Sequence, residues 1–285
     1  MVRIDWSMFP KDTTFVNLRG KGITEMNWDS SLRQLTSVNL TSNQITEINW
    51  DSSPPNLTCV YLGNNQITHM NWVSAPPNLN AISLTGNCLT HINWVNAPPN
   101  LTSVHLGCNQ IREMNWKNAP QQLNHVDLGN NQITNMNWIN APQQLSVVLL
   151  DSNQITEMTW ESSLQQLNIM YLGNNQIAEM NWVNAPQWLT QVYLGGNQIT
   201  EMNWKNVPYM LEHVNGYNEE FKEYKSARSA ARRIQRAYLR HYTRRKAAAR
   251  KIVEGCHNWV WKPKCKDGTI GIRPRLDLRE LGITD

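Results

Sequence analysis

Apolar and polar positions recur along this chain in a frame of 22 residues. In the stretch from Leu35 to Pro55 the apolar positions are Leu35, Val38, Leu40, Ile45, Ile48 and Trp50. Tryptophan marks the period from Trp6 through Trp28, Trp50, Trp72, Trp94, Trp116, Trp138, Trp160 and Trp182 to Trp204, without insertion or deletion. Asparagine keeps the same frame at Asn43, Asn65, Asn87, Asn109, Asn131, Asn153, Asn175 and Asn197. A period in this range predicts a solenoid, because one unit cannot bury its apolar face alone and stacks on the next. Val38 and Leu40 alternate with Ser37, Asn39 and Thr41, which predicts a short strand with one face in the core and the other outward.

The polar member of the frame has a structural duty. Each asparagine stands where the chain leaves the strand and turns inward, so a buried side chain with both donor and acceptor is expected to satisfy backbone groups in its own turn and the next. The tryptophans follow the core period and are expected to be core, with each indole N–H finding a partner near the convex boundary. Proline follows at Pro54/Pro55, Pro76/Pro77, Pro98/Pro99, Pro120, Pro142, Pro186 and Pro208, so the return is predicted to be extended or tightly turned.

The motif L-x-x-V-x-L-x-x-N-Q-I-T-x-I/M-N-W-x-x-x-P resembles the leucine-rich repeat, and eight successive units carry it. The resemblance implies a mostly β, α/β-type solenoid: a right-handed coil with a parallel sheet on its concave side. The expected organisation is an N-terminal cap and degenerate repeat (1–34), the array (35–216), a basic amphipathic helix (217–255) and a compact tail (256–285). The pattern restarts at Leu211 and Val214 and fails at Gly216, where a leucine belongs.

Since core positions are nearly constant, partner choice falls to the variable outward columns. One reads Asn39, Tyr61, Ser83, His105, Asp127, Leu149, Tyr171, Tyr193; the other Ser37, Cys59, Ala81, Ser103, His125, Val147, Ile169, Gln191. Tyr61 stands near one end, while Val147, Leu149, Ile169, Tyr171 and Tyr193 make an apolar, aromatic patch toward the other. Such clusters on a rigid sheet are interface anchors, so a protein partner is expected there, or an adjacent segment that covers the patch. His105, His125 and Asp127 are neighbours that read as surface pairs or as a metal or catalytic cluster. No accompanying nucleophile motif, phosphate loop or cofactor motif is present, so no enzyme and no cofactor are expected. Glu157, Glu179 and Glu201 form an acidic edge, either plainly solvated or receiving a basic helix.

Charge divides the chain. Residues 1–216 hold 8 Lys+Arg against 14 Asp+Glu, and residues 217–285 hold 18 against 8, giving the overall +4. Between Glu219 and Glu254 there is no Pro or Gly. Ala227, Ala231, Ile234, Tyr238, Tyr242, Ala249 and Ile252 form a stripe at helical spacing, while Arg232, Arg233, Arg236, Arg240, Arg244 and Arg245 belong to the basic remainder. Ile234, Gln235, Arg236, Arg240 and Arg244 resemble the IQ motif of calmodulin-binding helices, with Leu239 where that motif has a basic residue. The resemblance implies a calmodulin-like partner; the charge alone fits nucleic acid or another polyanion; packing on protein is the third reading. Cys256, His257 and Cys265 hint at zinc but lack a fourth ligand at usual spacing. Five cysteines without a repeating framework, no apolar leader and no run long enough to span a membrane suggest an intracellular protein. The uniform Asn-rich array with an IQ-like helix and tail also resembles proteins of large double-stranded DNA viruses, which implies a virion component with a capsid or host protein as partner.

Overall fold

The computed structural model describes residues 2–161, 164–200 and 202–260. Glu201, the side chains of Ala249, Ile252, Cys256 and His257, and the segment 261–285 with Cys265 lie outside the described residues.

A short 3-10 turn at Trp6–Met8 precedes ten three-residue strands. They are β1 (Phe15–Asn17), β2 (Ser37–Asn39), β3 (Cys59–Tyr61), β4 (Ala81–Ser83), β5 (Ser103–His105), β6 (His125–Asp127), β7 (Val147–Leu149), β8 (Ile169–Tyr171), β9 (Gln191–Tyr193) and β10 (His213–Asn215). All pair in parallel, in chain order, as one sheet. The register is the 22-residue frame itself, with Val38 opposite Val60 and Val60 opposite Ile82. This is a leucine-rich-repeat solenoid. Its sheet begins in the degenerate first unit, at β1, and extends past the last complete motif to β10.

The central residue of every strand is buried and its neighbours face outward. Leu35, Leu40, Ile45, Ile48 and Trp50, with their equivalents along the chain, fill the interior. Backbone polarity inside the coil is cancelled by the asparagine column. Asn131 Oδ1 accepts from the Ile111 N–H at 3.0 Å, and its Nδ2 donates to the carbonyls of Leu106 at 3.0 Å and Leu128 at 2.9 Å. The amide therefore joins its own coil to the preceding one, not to the following one as the sequence reading has it. A second ladder runs beside the sheet, where Thr58 Oγ1 donates to the Thr36 carbonyl at 3.1 Å.

The tryptophans of the 22-residue frame are core from Trp6 to Trp182, and Trp204 at the end of the array is half-buried. Trp50, Trp94, Trp116 and Trp182 are each 1% exposed, deeper than the boundary position anticipated. Trp28 and Trp50 stack at 6.1 Å and 9°. The Trp50 indole N–H donates to the Asn71 carbonyl of the following coil at 2.7 Å. That second asparagine does double work, since Asn71 Oδ1 also accepts from the Val73 N–H at 3.0 Å. Two tight turns make the return: Ala75 N–H donates to the Trp72 carbonyl and Leu79 N–H to the Pro76 carbonyl. Ser74 has φ 62° and its equivalent Asn96 φ 64°, left-handed positions that favour short polar residues.

At the end of the array Gly216 adopts φ 95°, and a Cβ there would lie 3.1 Å from the Gly195 backbone. Only glycine fits, and the chain leaves the coil. Helix α1 (Asn218–Val260) follows as one 43-residue helix. The chain divides into two units between Phe221 and Lys222. Phe221, in the first turn, belongs to the array: it is 4% exposed and stacks on Trp204 at 5.3 Å.

Candidate interaction surface

A strand three residues long offers two outward side chains, and the in-register sheet stacks them into columns. Leu149 lies beside Tyr171, and Tyr171 beside Tyr193. Ile169 lies between Val147 and Gln191 in the other column. All are half-buried. The Tyr171 and Tyr193 rings stack at 4.3 Å and 3°, and His213 meets Tyr193 edge-on at 5.7 Å. The Tyr193 hydroxyl donates to Gln191 Oε1 at 2.8 Å. The result is a fixed aromatic shelf bordered by aliphatic groups. Burial, then the neighbouring Tyr193, pushes the Tyr171 phenol above its ordinary value.

Tyr61 is separate from this shelf. It lies on β3 between Asn39 and Ser83 and is 43% exposed.

Between the two lies a polar group. His105 Nδ1 is 3.9 Å from Asp127 Oδ2, and the rings of His105 and His125 are 5.1 Å apart, tilted 44°. Asp127 Oδ1 accepts the Gly129 N–H at 2.9 Å. Burial drives the Asp127 carboxyl up, but the neighbouring His105, the Gly129 N–H and the His125 imidazole outweigh it and leave it below the usual range. Burial, then His105, pushes His125 down, against the pull of Asp127. Asp151 is pushed up by burial, then by the charge of Asp127. Among the described residues no three His, Cys, Asp or Glu side chains are placed to hold a metal ion. The His105–Asp127 group has the geometry of a loose surface pair.

Asp151 and His213 escaped the sequence reading, although the frame could have found them. His213 continues the column of Gln191, and Asp151 follows Leu149 by two residues in the next outward column. Glycine fills much of that column, at Gly107, Gly129, Gly173 and Gly195, so the Asp127 and Asp151 carboxylates both overhang Gly129.

The other candidate residues lie on α1. Arg232, Arg233, Gln235, Arg236, Arg240, Arg244 and Arg245 are exposed. So are Ile234, Tyr238, Leu239 and Tyr242, at 71, 66, 52 and 53%. The Tyr238 and Tyr242 rings stack at 6.5 Å. No helix among the described residues is long and apolar enough to cross a membrane.

Solved structures share the array's architecture. The chain is similar to a leucine-rich-repeat protein of Leptospira interrogans, with 21% identity over 75% of this chain and 58% of that one and a TM-score of 0.65. It is similar to a chain of the Toll–Spatzle complex of Drosophila, with 18% identity over 72% of this chain and 30% of that one and a TM-score of 0.61. It is also similar to YopM from Yersinia enterocolitica, with 21% identity over 73% of this chain and 42% of that one and a TM-score of 0.57. This chain thus spans between 30 and 58% of the length of these three. No family model and no curated protein matches the sequence.

Proposed function

We propose that this chain is a non-enzymatic scaffold that binds a protein partner on its concave face, with Leu149, Ile169, Tyr171 and Tyr193 as anchors, His105 and Asp127 as polar flank and Tyr61 as an outlying contact. The stacked Tyr171–Tyr193 shelf beside Leu149 carries this reading. Rigid, part-exposed aromatic rings bind with little loss of side-chain freedom, which is why such residues dominate interface energetics. A chain of similar fold solved within a Toll–Spatzle complex supports the same use of the architecture.

The test is capture by immobilised full-length protein. Leu149→Asp with Tyr171→Asp should weaken the captured partner's affinity by roughly thirtyfold or more. Asn17→Asp, on the first strand of the same column and away from every proposed contact, should leave it unchanged. Equal capture by the double variant, with unchanged circular dichroism, would sink the proposal.

A second reading concerns α1, whose exposed arginines and exposed Ile234 and Tyr238 fit a polyanion or a calmodulin-like partner. Retention on nucleic acid that falls steeply with salt supports the first; calcium-dependent binding to calmodulin supports the second. The viral resemblance extends the main proposal to a capsid or host protein as partner, and detection of the chain in purified virions is its test.

A further inference from the structure

The concave face and α1 are complementary in charge, in apolar pattern and in length. Across the three outward columns of the sheet, the acidic groups are Asp127 and Asp151, and the only Lys or Arg is Arg19 at the far end. The carboxylates overhang one glycine, Gly129, immediately beside Leu149 and the tyrosine shelf. On α1, Ile234, Tyr238, Tyr242 and Arg245 follow at i, i+4, i+8 and i+11, which places them on one helical face. The first three are aliphatic or aromatic and the last is an arginine, with His241 at i+7 beside them. All four side chains are exposed.

The dimensions agree. Strands lie ~4.8 Å apart, so β6 to β9 spans about 14 Å. Residues 234 to 245 rise about 16 Å along a helix. A helix laid across the strands with Ile234 over Tyr193 brings Tyr242 to Leu149 and Arg245 to Asp151 and Asp127. An arginine inside an apolar stripe needs an acid on the surface it meets, because a charge taken from water without a partner is costly. Asp127 and Asp151 supply that acid at the matching end. The array's net negative charge against the positive C-terminal segment adds long-range attraction.

We infer that α1 of one molecule docks on the concave face of a second copy, through Ile234, Tyr238, Tyr242 and Arg245 against Tyr193, Tyr171, Leu149 and the Asp127–Asp151 pair. The two surfaces are different and every copy carries both, so the contact joins copies either reciprocally in a dimer or head to tail into longer assemblies. This rests on the concave face being a binding surface, as proposed above, and names its occupant.

The test is sedimentation velocity of the full chain at low ionic strength. The expected result is a weight-average mass that climbs with concentration beyond that of the monomer and falls on adding salt. Leu149→Asp disables one surface and Tyr238→Asp the other; each alone should be monomeric, and their mixture should stop at a one-to-one dimer. Arg245→Glu should lose association, and Arg245→Glu with Asp151→Lys in the same chain should regain it. If Leu149→Asp fails to fold, Tyr171→Ser replaces it. Overturning results are a wild-type mass independent of concentration, association that survives in both single variants, or a mixture that remains monomeric. The capture experiment stays informative in each case, since a foreign partner lost with Leu149→Asp would uphold the concave face and reject only this occupant.

Discussion

The array and the helix satisfy the same backbone by opposite means. In the interior of α1 each backbone group finds its hydrogen bond four positions away, so the helix is held by its local sequence. In the array the bonds reach across coils: Leu40 N–H donates to the Tyr61 carbonyl and Gln44 N–H to the Ile23 carbonyl. No coil is complete by itself, and its stability is shared with its neighbours. A defect in the array should therefore spread, and one in the helix should stay where it is made. Function follows the same division. The array has committed its inward side chains and has only the outward columns to vary, whereas the helix leaves its arginines from Arg232 to Arg245 exposed together with Ile234, Tyr238 and Tyr242.

The contrast breaks most forcefully at the asparagine column. Asn131→Leu keeps the branched shape but orphans the Ile111 N–H and removes one of the two amide donors on each of the Leu106 and Leu128 carbonyls, which keep Asn109 and Asn153. At about 1–3 kcal/mol for the unpaired donor and about 0.5–1.5 kcal/mol for each of the two lost bonds, the loss should be roughly 2–6 kcal/mol. Urea unfolding read by tryptophan fluorescence measures it. A loss under about 1 kcal/mol would mean that the column is decoration and not the joint between coils.

The helix supplies the counterpart. Ala231→Gly should cost about 1 kcal/mol of helix stability, lowering the far-ultraviolet helical signal. The array's urea midpoint should not move. A shift of that midpoint would show that the two units unfold together and would end the comparison.

Much of the array was legible because its information is repeated. Ile45, Trp50 and Asn43 would each be ambiguous alone, but eight recurrences in one frame leave a single stacking register. What escaped depends on direction and rotamer, which a period does not encode. The Asn131 amide could bridge forward or backward, and it reaches Leu106 behind it. Tyr171 and Tyr193 were legible as neighbours, but their 4.3 Å stacking arises from the exact alignment of parallel strands. Asp151 was overlooked because two columns suggested a face, whereas the glycines of the third open it. The helix was legible as a helix, yet its local period says nothing of what it meets.

Within the array a smaller test separates two indoles with the same burial. Trp50 donates to the Asn71 carbonyl, while the Trp116 indole nitrogen is buried without a hydrogen-bond partner. Replacing each by Phe removes similar volume, but only at Trp50 is a hydrogen bond lost. Trp50→Phe should exceed Trp116→Phe in cost by about 1 kcal/mol in matched urea titrations. Equal costs would show that the indoles act by volume alone.

The smallest effect concerns acid. His125 is held below its ordinary pKa by burial and then by His105, so the unfolded chain takes up this proton before the folded one does. Stability is therefore unaffected above the ordinary histidine range and declines as pH falls through it, until the folded value is passed. Asp127 acts in a separate window: its lowered carboxyl contributes stability that is lost only below the ordinary carboxylate range. Between about pH 8 and 5.5 the histidine slope should be isolated, and His125→Gln should flatten the fall in melting temperature without changing its value at the alkaline end. An equally steep fall in the variant would assign the acid sensitivity elsewhere. In the array that sensitivity should register as loss of cooperative stability, because His125 stands on a strand bonded on both sides; an acid effect confined to α1 would be a local change in helicity with the array's transition intact.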